Sequence, residues 1–306
     1  MKNKPYAQFA LSLVMVLLAL VAARRPALAD SARMAGIRLV SDTQRIEPGN
    51  KFRLGLLFTI SEGSHIYWKN PGDAGLATRV EWKLPEGFVA GPLFWPAPVR
   101  LEEPGDLSVN AYTDSVMLFS WVQAPPKFKS GEVTLGVQAD WLACRKICVQ
   151  EADSAGLILA TGDAQEKSSD FALFEHYASL VPRPAANDGR ISGNARWTGK
   201  GGNPEERTGV LTMVSTAPSP SFLNDSRSAV FFGDPSMDVT CESFHLDTDK
   251  STPGLLVMHI RVRALRGREW PDTWGGVLSA RAQGPEGDTL TLALQYSLPG
   301  RIESNP

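Results

Sequence analysis

Along Lys51–Ile60 the even positions Phe52, Leu54, Leu56, Phe58 and Ile60 are all apolar, and the odd ones are mostly polar or glycine. A period of two held over that length predicts a strand with one buried face. Val80, Trp82 and Leu84 repeat the pattern, and so do Val133, Leu135, Val137, Ala139 and Trp141. The more continuous apolar run over 117–122 suits a central strand. Turn chemistry separates these segments: Glu47-Pro48-Gly49-Asn50, Asn70-Pro71-Gly72-Asp73, Leu84-Pro85-Glu86-Gly87 and Pro104-Gly105-Asp106. Short strands with regular breakers predict a β-sandwich.

The pattern changes near Gly162. Phe171, Leu173, Phe174, Tyr177 and Leu180 follow a helical spacing over 168–180, and Pro182 and Pro184 close it. Residues 185–209 are polar and rich in glycine. A second strand-rich stretch runs over 210–298, with strands predicted at 209–215, 229–232, 254–262 and 290–296. The expected class is all-β: two immunoglobulin-like sandwiches joined by a short helical linker. The expected boundaries are 30–163 for the first sandwich, 164–209 for the linker and 210–306 for the second. No solenoid-type repeat is visible.

The segment before the first sandwich has the composition of a cleavable signal peptide, residues 1–29. Lys2 and Lys4 start it, 9–23 is an apolar run too short to span a bilayer comfortably, and Ala27-Leu28-Ala29 supplies the small–x–small cleavage pattern. Arg24 and Arg25 follow the apolar run, so the twin-arginine signal is excluded, while an uncleaved anchor stays open as the alternative. The leader holds four basic residues and no acids, which leaves a mature chain with a small acidic excess. Without a basic stripe, nucleic acid is not an expected partner. The expected location is the periplasm, with a soluble mature protein.

Export changes the meaning of the three cysteines, Cys144, Cys148 and Cys241, because unpaired thiols are unusual in an oxidising compartment. In the strand ending Trp141-Leu142-Ala143-Cys144 the odd positions face the core, so the even-numbered Cys144 points away from it. Arg145-Lys146-Ile147 then forms a three-residue turn, and 156–160 supplies a return strand. Facing positions of such a hairpin lie about 4.5–5.5 Å apart at Cα, within disulfide range. A loop this small contributes only about 2 kcal/mol by chain entropy. Arg145 and Lys146 place positive charge beside whichever thiol is free, which favours thiolate. The spacing itself leaves three readings open: a structural hairpin disulfide, a redox pair and a metal site. Copper(I) would want a nearby histidine or methionine, and His65 is the one histidine of the first sandwich.

The run His65-Ile66-Tyr67-Trp68-Lys69-Asn70-Pro71-Gly72-Asp73-Ala74-Gly75 resembles the amino-terminal periplasmic domain of the thiol:disulfide interchange protein DsbD family, nearest its suppressor-of-copper-sensitivity (ScsB) branch. Trp95-Pro96-Ala97-Pro98 and the stretch 141–148 follow in the family's order, and the likeness covers 37–159. Residues 210–298 resemble the second periplasmic domain of that branch more weakly. The resemblance implies an immunoglobulin-like fold and a cysteine pair that takes reducing equivalents from a membrane electron transporter of the DsbD/CcdA type. The pair passes them to periplasmic thioredoxin-like proteins, and no cofactor or metal is implied. By position it assigns Cys144 and Cys148 to the redox pair, with Cys148 facing the partner. Glu102 or Glu103 falls where an acid lies near the site, and Tyr112 matches an aromatic just beyond. Relatives shield the disulfide with an aromatic cap loop, whereas the corresponding stretch here, Pro104-Gly105-Asp106-Leu107, has no aromatic residue.

Other residues carry weaker signals. His65, Tyr67 and Trp68 read either as a partner-docking surface or as an ordinary aromatic strand end. Cys241 reads as a buried inert thiol rather than a second redox centre. Trp270-Pro271 and Trp274-Gly275-Gly276 fit core packing and a tight turn as well as they fit binding. No serine–histidine, phosphate-loop or two-histidine zinc signature appears. The expectation is thus a thiol:disulfide oxidoreductase component, against a non-enzymatic binding or adaptor protein with a structural disulfide, or a copper-handling protein.

Overall fold

The computed structural model describes residues 33–128, 131–184, 191–200, 205–215, 221–222, 229–283 and 289–300. The segment expected to be a signal peptide, 1–29, lies outside them. The first sandwich opens with β1 (Ala35–Ser41), β2 (Thr43–Ile46), β3 (Lys51–Ile60) and β4 (His65–Gly72). It continues through β5 (Arg79–Lys83), β6 (Val89–Ala90), β7 (Val99–Glu103) and β8 (Leu107–Tyr112). β9 (Ser115–Gln123), β10 (Glu132–Cys144), β11 (Cys148–Thr161) and β12 (Glu166–Lys167) complete it. One sheet has the order β1-β3-β9-β6, and the other β12-β2-β11-β10-β4-β8-β7 with β5 also on β10. The predicted even face of Lys51–Ile60 is buried in the core between them, as are Leu135, Val137, Ala139 and Trp141. Burial of that many aliphatic and aromatic side chains, at about 1.5–3 kcal/mol each, dominates what holds the sheets together.

Next comes a helix, α1 (Phe171–Ser179), close to the predicted span. It is not a free linker element. Phe174 is fully buried and packs with Val40, Met117 and Phe119 on the outside of the first sheet, and Glu175 pairs with Arg53 at 2.7 Å.

The second sandwich comprises β13 (Arg183–Pro184), β14 (Ile191–Lys200), β15 (Glu206–Ser215), β16 (Ser221–Phe222) and β17 (Ala229–Gly233). β18 (Val239–Leu246), β19 (Leu255–Ala264), β20 (Thr273–Gln283) and β21 (Thr289–Pro299) follow. Its sheets have the orders β13-β21-β20-β16, with β17 also on β20, and β14-β15-β19-β18. Two expectations need correction here. The polar stretch 185–209, expected as linker, contains β14, which pairs along its length with β15. β14 carries few apolar residues because it is an edge strand, and edge strands need only a half-buried face. Trp274-Gly275-Gly276, read as a possible turn, lies within β20, between β17 and β21. A side chain on Gly276 would come within 2.3 Å of the Phe232 carbonyl, so the glycine marks a close backbone approach.

The two sandwiches form one compact unit. Phe232 of the second sandwich reaches into the first core, where it meets Trp68 edge-on at 5.9 Å. Arg100 stacks over Phe232 and Phe244 and donates to the Phe231 carbonyl at 3.4 Å.

Candidate functional site

The hairpin β10–β11 keeps an unbroken register from Glu132↔Ala160 to Cys144↔Cys148, closed by Arg145-Lys146-Ile147. Cys144 and Cys148 are therefore directly opposed, 4.1 Å apart at Cα, and joined as a disulfide. The return strand starts at Cys148 itself, earlier than the expected 156, because the pair sits at the first rung beyond the turn.

Parity then assigns the faces. Ala143 is in the main core, so Cys144 lies on the other face of the sheet, away from that core. It is nevertheless only 1% exposed. A small separate cluster covers it, made of Cys144, Tyr67 and Val109 with Ala74, Leu101 and Leu142 around them. Cys148, by contrast, is exposed, and its neighbours Ile147 (73%) and Val149 (36%) are exposed apolar side chains. One sulfur is covered and the other faces solvent.

The cover comes from β4. His65 pairs with Cys144 and Ile66 with Ala143, so His65 and Tyr67 share the disulfide's face while Ile66 and Trp68 enter the core. The Tyr67 hydroxyl lies 3.1 Å from Cys144 Sγ and 3.9 Å from Cys148 Sγ. A disulfide sulfur carries no hydrogen, so the phenol donates. Burial, with Glu103 adding to it, pushes the Tyr67 phenol up to about 12, which keeps the donor proton in place at neutral pH. The ring is seated by Gly75 at φ +102°, where a Cβ would come within 2.2 Å of the Tyr67 ring. The shield is thus an aromatic side chain from the neighbouring strand. Pro104-Gly105-Asp106 is a tight turn between β7 and β8, with Asp106 at φ +58°.

Glu103 and Glu102 separate by the same alternation. Glu103 Oε1 stands 3.1 Å from His65 Nε2, at ion-pair distance without the alignment of a hydrogen bond. Glu102 turns to the opposite face and accepts from Ser108 Oγ at 2.8 Å. His65 is buried edge-on against Tyr67, at 5.1 Å between ring centres. Burial draws its pKa below 6.5, and the charge of Glu103 opposes that shift. Arg145 is exposed, and its Nε donates to Ser64 Oγ at 3.0 Å, which pins the turn. Lys146 is exposed on the same turn.

Two sequence expectations are corrected. Tyr112 pairs with Ile66, which places it on the core side, where its hydroxyl donates to the Pro96 carbonyl at 2.7 Å. It is a core residue and does not face the disulfide. His65, Tyr67 and Trp68 form no docking surface, because all three are buried. The pairing of β4 with both β8 and β10 is the cause, and no local pattern in the sequence announces it.

Cys241, on β18, is a free thiol. It faces a cleft of about 430 Å³ between the sandwiches, lined also by Asp73, Arg100, Ser108, Asn110 and Glu242. Burial pushes this thiol up to about 12, against the opposing pull of Arg100. Trp274 is buried in the second core, and Trp270 meets Trp197 at 5.8 Å with Arg207 over its face. Among the described residues, no group of three or more His, Cys, Asp or Glu side chains is placed to hold a metal ion.

The first sandwich is thus an immunoglobulin-like domain that presents a half-covered disulfide at the end of its β10–β11 hairpin. Residues 38–158 match the family described as thiol:disulfide interchange protein DsbD, N-terminal. Residues 38–158 thus form a DsbD N-terminal-like domain. The N-terminal periplasmic domain of ScsB from Proteus mirabilis aligns with a TM-score of 0.58 at 15% identity, over 88% of this chain and 95% of that one. The shared fold therefore extends over both sandwiches. The Neisseria meningitidis DsbD N-terminal domain in the reduced form aligns at 10% identity and a TM-score of 0.25, over 43% of this chain and 90% of that one. No curated protein sequence matches the chain.

Proposed function

We propose that this is a periplasmic thiol–disulfide exchange protein in which Cys148 is the attacking sulfur and Cys144 the resolving one. The observation that carries the reading is the asymmetry of the pair: Cys148 is exposed, while Cys144 is covered and accepts a hydrogen bond from Tyr67. In the reduced protein the Cys148 thiolate attacks one sulfur of a partner's disulfide. That S–S bond breaks, the partner's second sulfur leaves as thiolate and takes up a proton, and a mixed disulfide forms. The Cys144 thiolate then attacks Cys148 Sγ, restoring the Cys144–Cys148 bond and releasing the partner's first sulfur as thiol. Two electrons and two protons have passed to the partner. A membrane electron transporter of the DsbD/CcdA type, with a dithiol of its own, returns two electrons by the reverse exchange, and thioredoxin-like proteins are the acceptors.

The residues around the pair have matching roles. The Tyr67 phenol donates to Cys144 Sγ and stabilises that sulfur when it carries charge as leaving group. Arg145 and Lys146 supply positive potential at the turn, which favours the Cys148 thiolate. Exposed Ile147 and Val149 offer an apolar rim to a partner's surface around its own cysteine. Glu103 and His65 hold Tyr67 in a polar corner.

Trapping tests this reading. A Cys144→Ser variant incubated with oxidised periplasmic thioredoxin-like proteins accumulates covalent complexes through Cys148, and none forming sinks the relay. The reduction potential separates exchange from a merely structural bond, since a value below about −300 mV marks a bond that resists exchange.

A further inference from the structure

The segment that covers the disulfide is the same one that meets the second sandwich. β4 loses its register with β8 between Tyr67 and Gly72, and the bulged residues reach across. Lys69 Nζ pairs with Asp234 Oδ1 at 2.7 Å, and Asn70 Nδ2 donates to the Gly233 carbonyl at 2.8 Å. Asp234 is itself held by Gln295, whose Nε2 donates to Oδ2 at 2.7 Å. On the near side, Asn110 Nδ2 donates to the Asn70 carbonyl at 2.9 Å, and Asp73 exchanges hydrogen bonds with Ser108 through N and Oδ2. Two and three residues beyond Gly72, Ala74 and Gly75 rest against Tyr67. The register shift takes residues 68–71 out of the β4–β8 ladder, so sheet pairing with β8 does not hold them. Their external anchors, two of which belong to the second sandwich, do that holding.

We propose that the second sandwich is a brace for the redox site. By gripping Lys69 and Asn70 it keeps the Pro71–Gly75 turn seated on Tyr67, and so keeps Cys144 sealed while Cys148 stays open. The proposal rests on the exchange reading of the cysteine pair and gives the second sandwich its part in it. Lys69, Asn70 and Asp234 are positioning residues; none touches a sulfur. Exposure of Cys144 then requires a local opening whose population the brace sets.

The experiment measures alkylation of Cys144 in the reduced full chain carrying Cys148→Ser, with iodoacetamide as probe and peptide mass mapping to separate Cys144 from Cys241. Asp234→Ala, made in the second sandwich, and Asn70→Ala, made in the first, each raise the rate about fivefold, as expected for loss of a partly exposed ion pair or a single hydrogen bond. Asp247→Ala is the control. It removes the contacts of Asp247 with Lys250 and His259 in the second sandwich away from the cleft, and it leaves the rate at the starting value. Unchanged rates in both brace variants overturn the proposal, and so does an equal rise in the control, which would mark general loosening. Failure of partner trapping with the alkylation response intact overturns the relay and leaves the brace standing.

Discussion

The cysteines of the two sandwiches are placed in opposite chemical settings. Cys144 and Cys148 close a hairpin with a phenol donor beside one sulfur and solvent beside the other. Cys241 sits in a cleft where burial pushes its thiol up to about 12 although Arg100 lies near. A nearby cation is therefore not sufficient for a reactive thiol. Desolvation outweighs the cation at Cys241, whereas at the hairpin one sulfur is exposed and the other has an aligned donor.

The sharpest way to break that comparison is to remove one sulfur at a time. Cys144→Ser leaves the exposed Cys148 without its resolving partner, so mixed disulfides with a thioredoxin-like acceptor accumulate. Cys148→Ser leaves a sulfur that is 1% exposed, and trapping falls to about a hundredth, the scale of a two-decade loss of access. Equal trapping by the two variants, read on a non-reducing gel, would remove the division of labour between them.

Next in size is the seat of the aromatic cover. Gly75→Ala adds a Cβ within 2.2 Å of the Tyr67 ring at φ +102°. Both the clash and the backbone conformation oppose it, and the unfolding free energy falls by about 2–3 kcal/mol. Denaturant melts of the oxidised protein check this; a loss below about 0.5 kcal/mol would mean the ring is free to move aside.

Much of this is legible in the sequence itself. The alternation through Leu135, Val137, Ala139 and Trp141 assigns Cys144 to the face away from the core, and the structure agrees on the face. What the alternation leaves out is that this face is covered as well. Tyr67 reaches Cys144 only because β4 lies beside β10, a pairing between residues 77 apart in sequence. The same gap explains Tyr112, which parity within β8 alone cannot place, and the choice between Glu102 and Glu103, which depends on the register of β7 with β8. In the second sandwich, β14 and β20 are hard to read from the sequence for different reasons. One is a polar edge, and the other carries near its start two glycines that resemble a turn, although the neighbouring backbone at Phe232 needs the space.

The hydroxyl itself can be separated from the ring. Tyr67→Phe keeps the cover and removes the donor to Cys144 Sγ. When dithiothreitol attacks Cys148 Sγ, Cys144 departs as thiolate, and without the phenol it is a poorer leaving group. Reduction slows about tenfold, the worth of a hydrogen bond to a charged group. A rate equal to the parent's would reduce Tyr67 to a lid.

Acid sharpens the contrast from another side. His65 is buried with its pKa held below 6.5, so in the window just below 6.5 the unfolded chain binds a proton that the folded one refuses. Stability therefore rises with pH across that window and is lost on acidification, with a slope of at most about 1.4 kcal/mol per pH unit from this one group. His65→Gln flattens that part of the profile. An unchanged slope in melts taken from pH 7 to pH 5 would mean that another group carries the dependence.

The smallest effect is expected at Cys241, and its smallness is informative. With its thiol at about 12, the thiolate fraction at neutral pH is negligible, and its Sγ is occupied as a donor to the Ser243 carbonyl at 3.5 Å. Cys241→Ser preserves a donor of similar size, so stability changes by less than about 1 kcal/mol and the rate of Cys144–Cys148 exchange stays at the parent value. A measurable slowing of exchange would require electrons to pass between the sandwiches through this third sulfur. The second sandwich would then be a participant in the chemistry, and the contrast between a half-covered pair and a half-buried, unreactive single thiol would no longer describe the molecule.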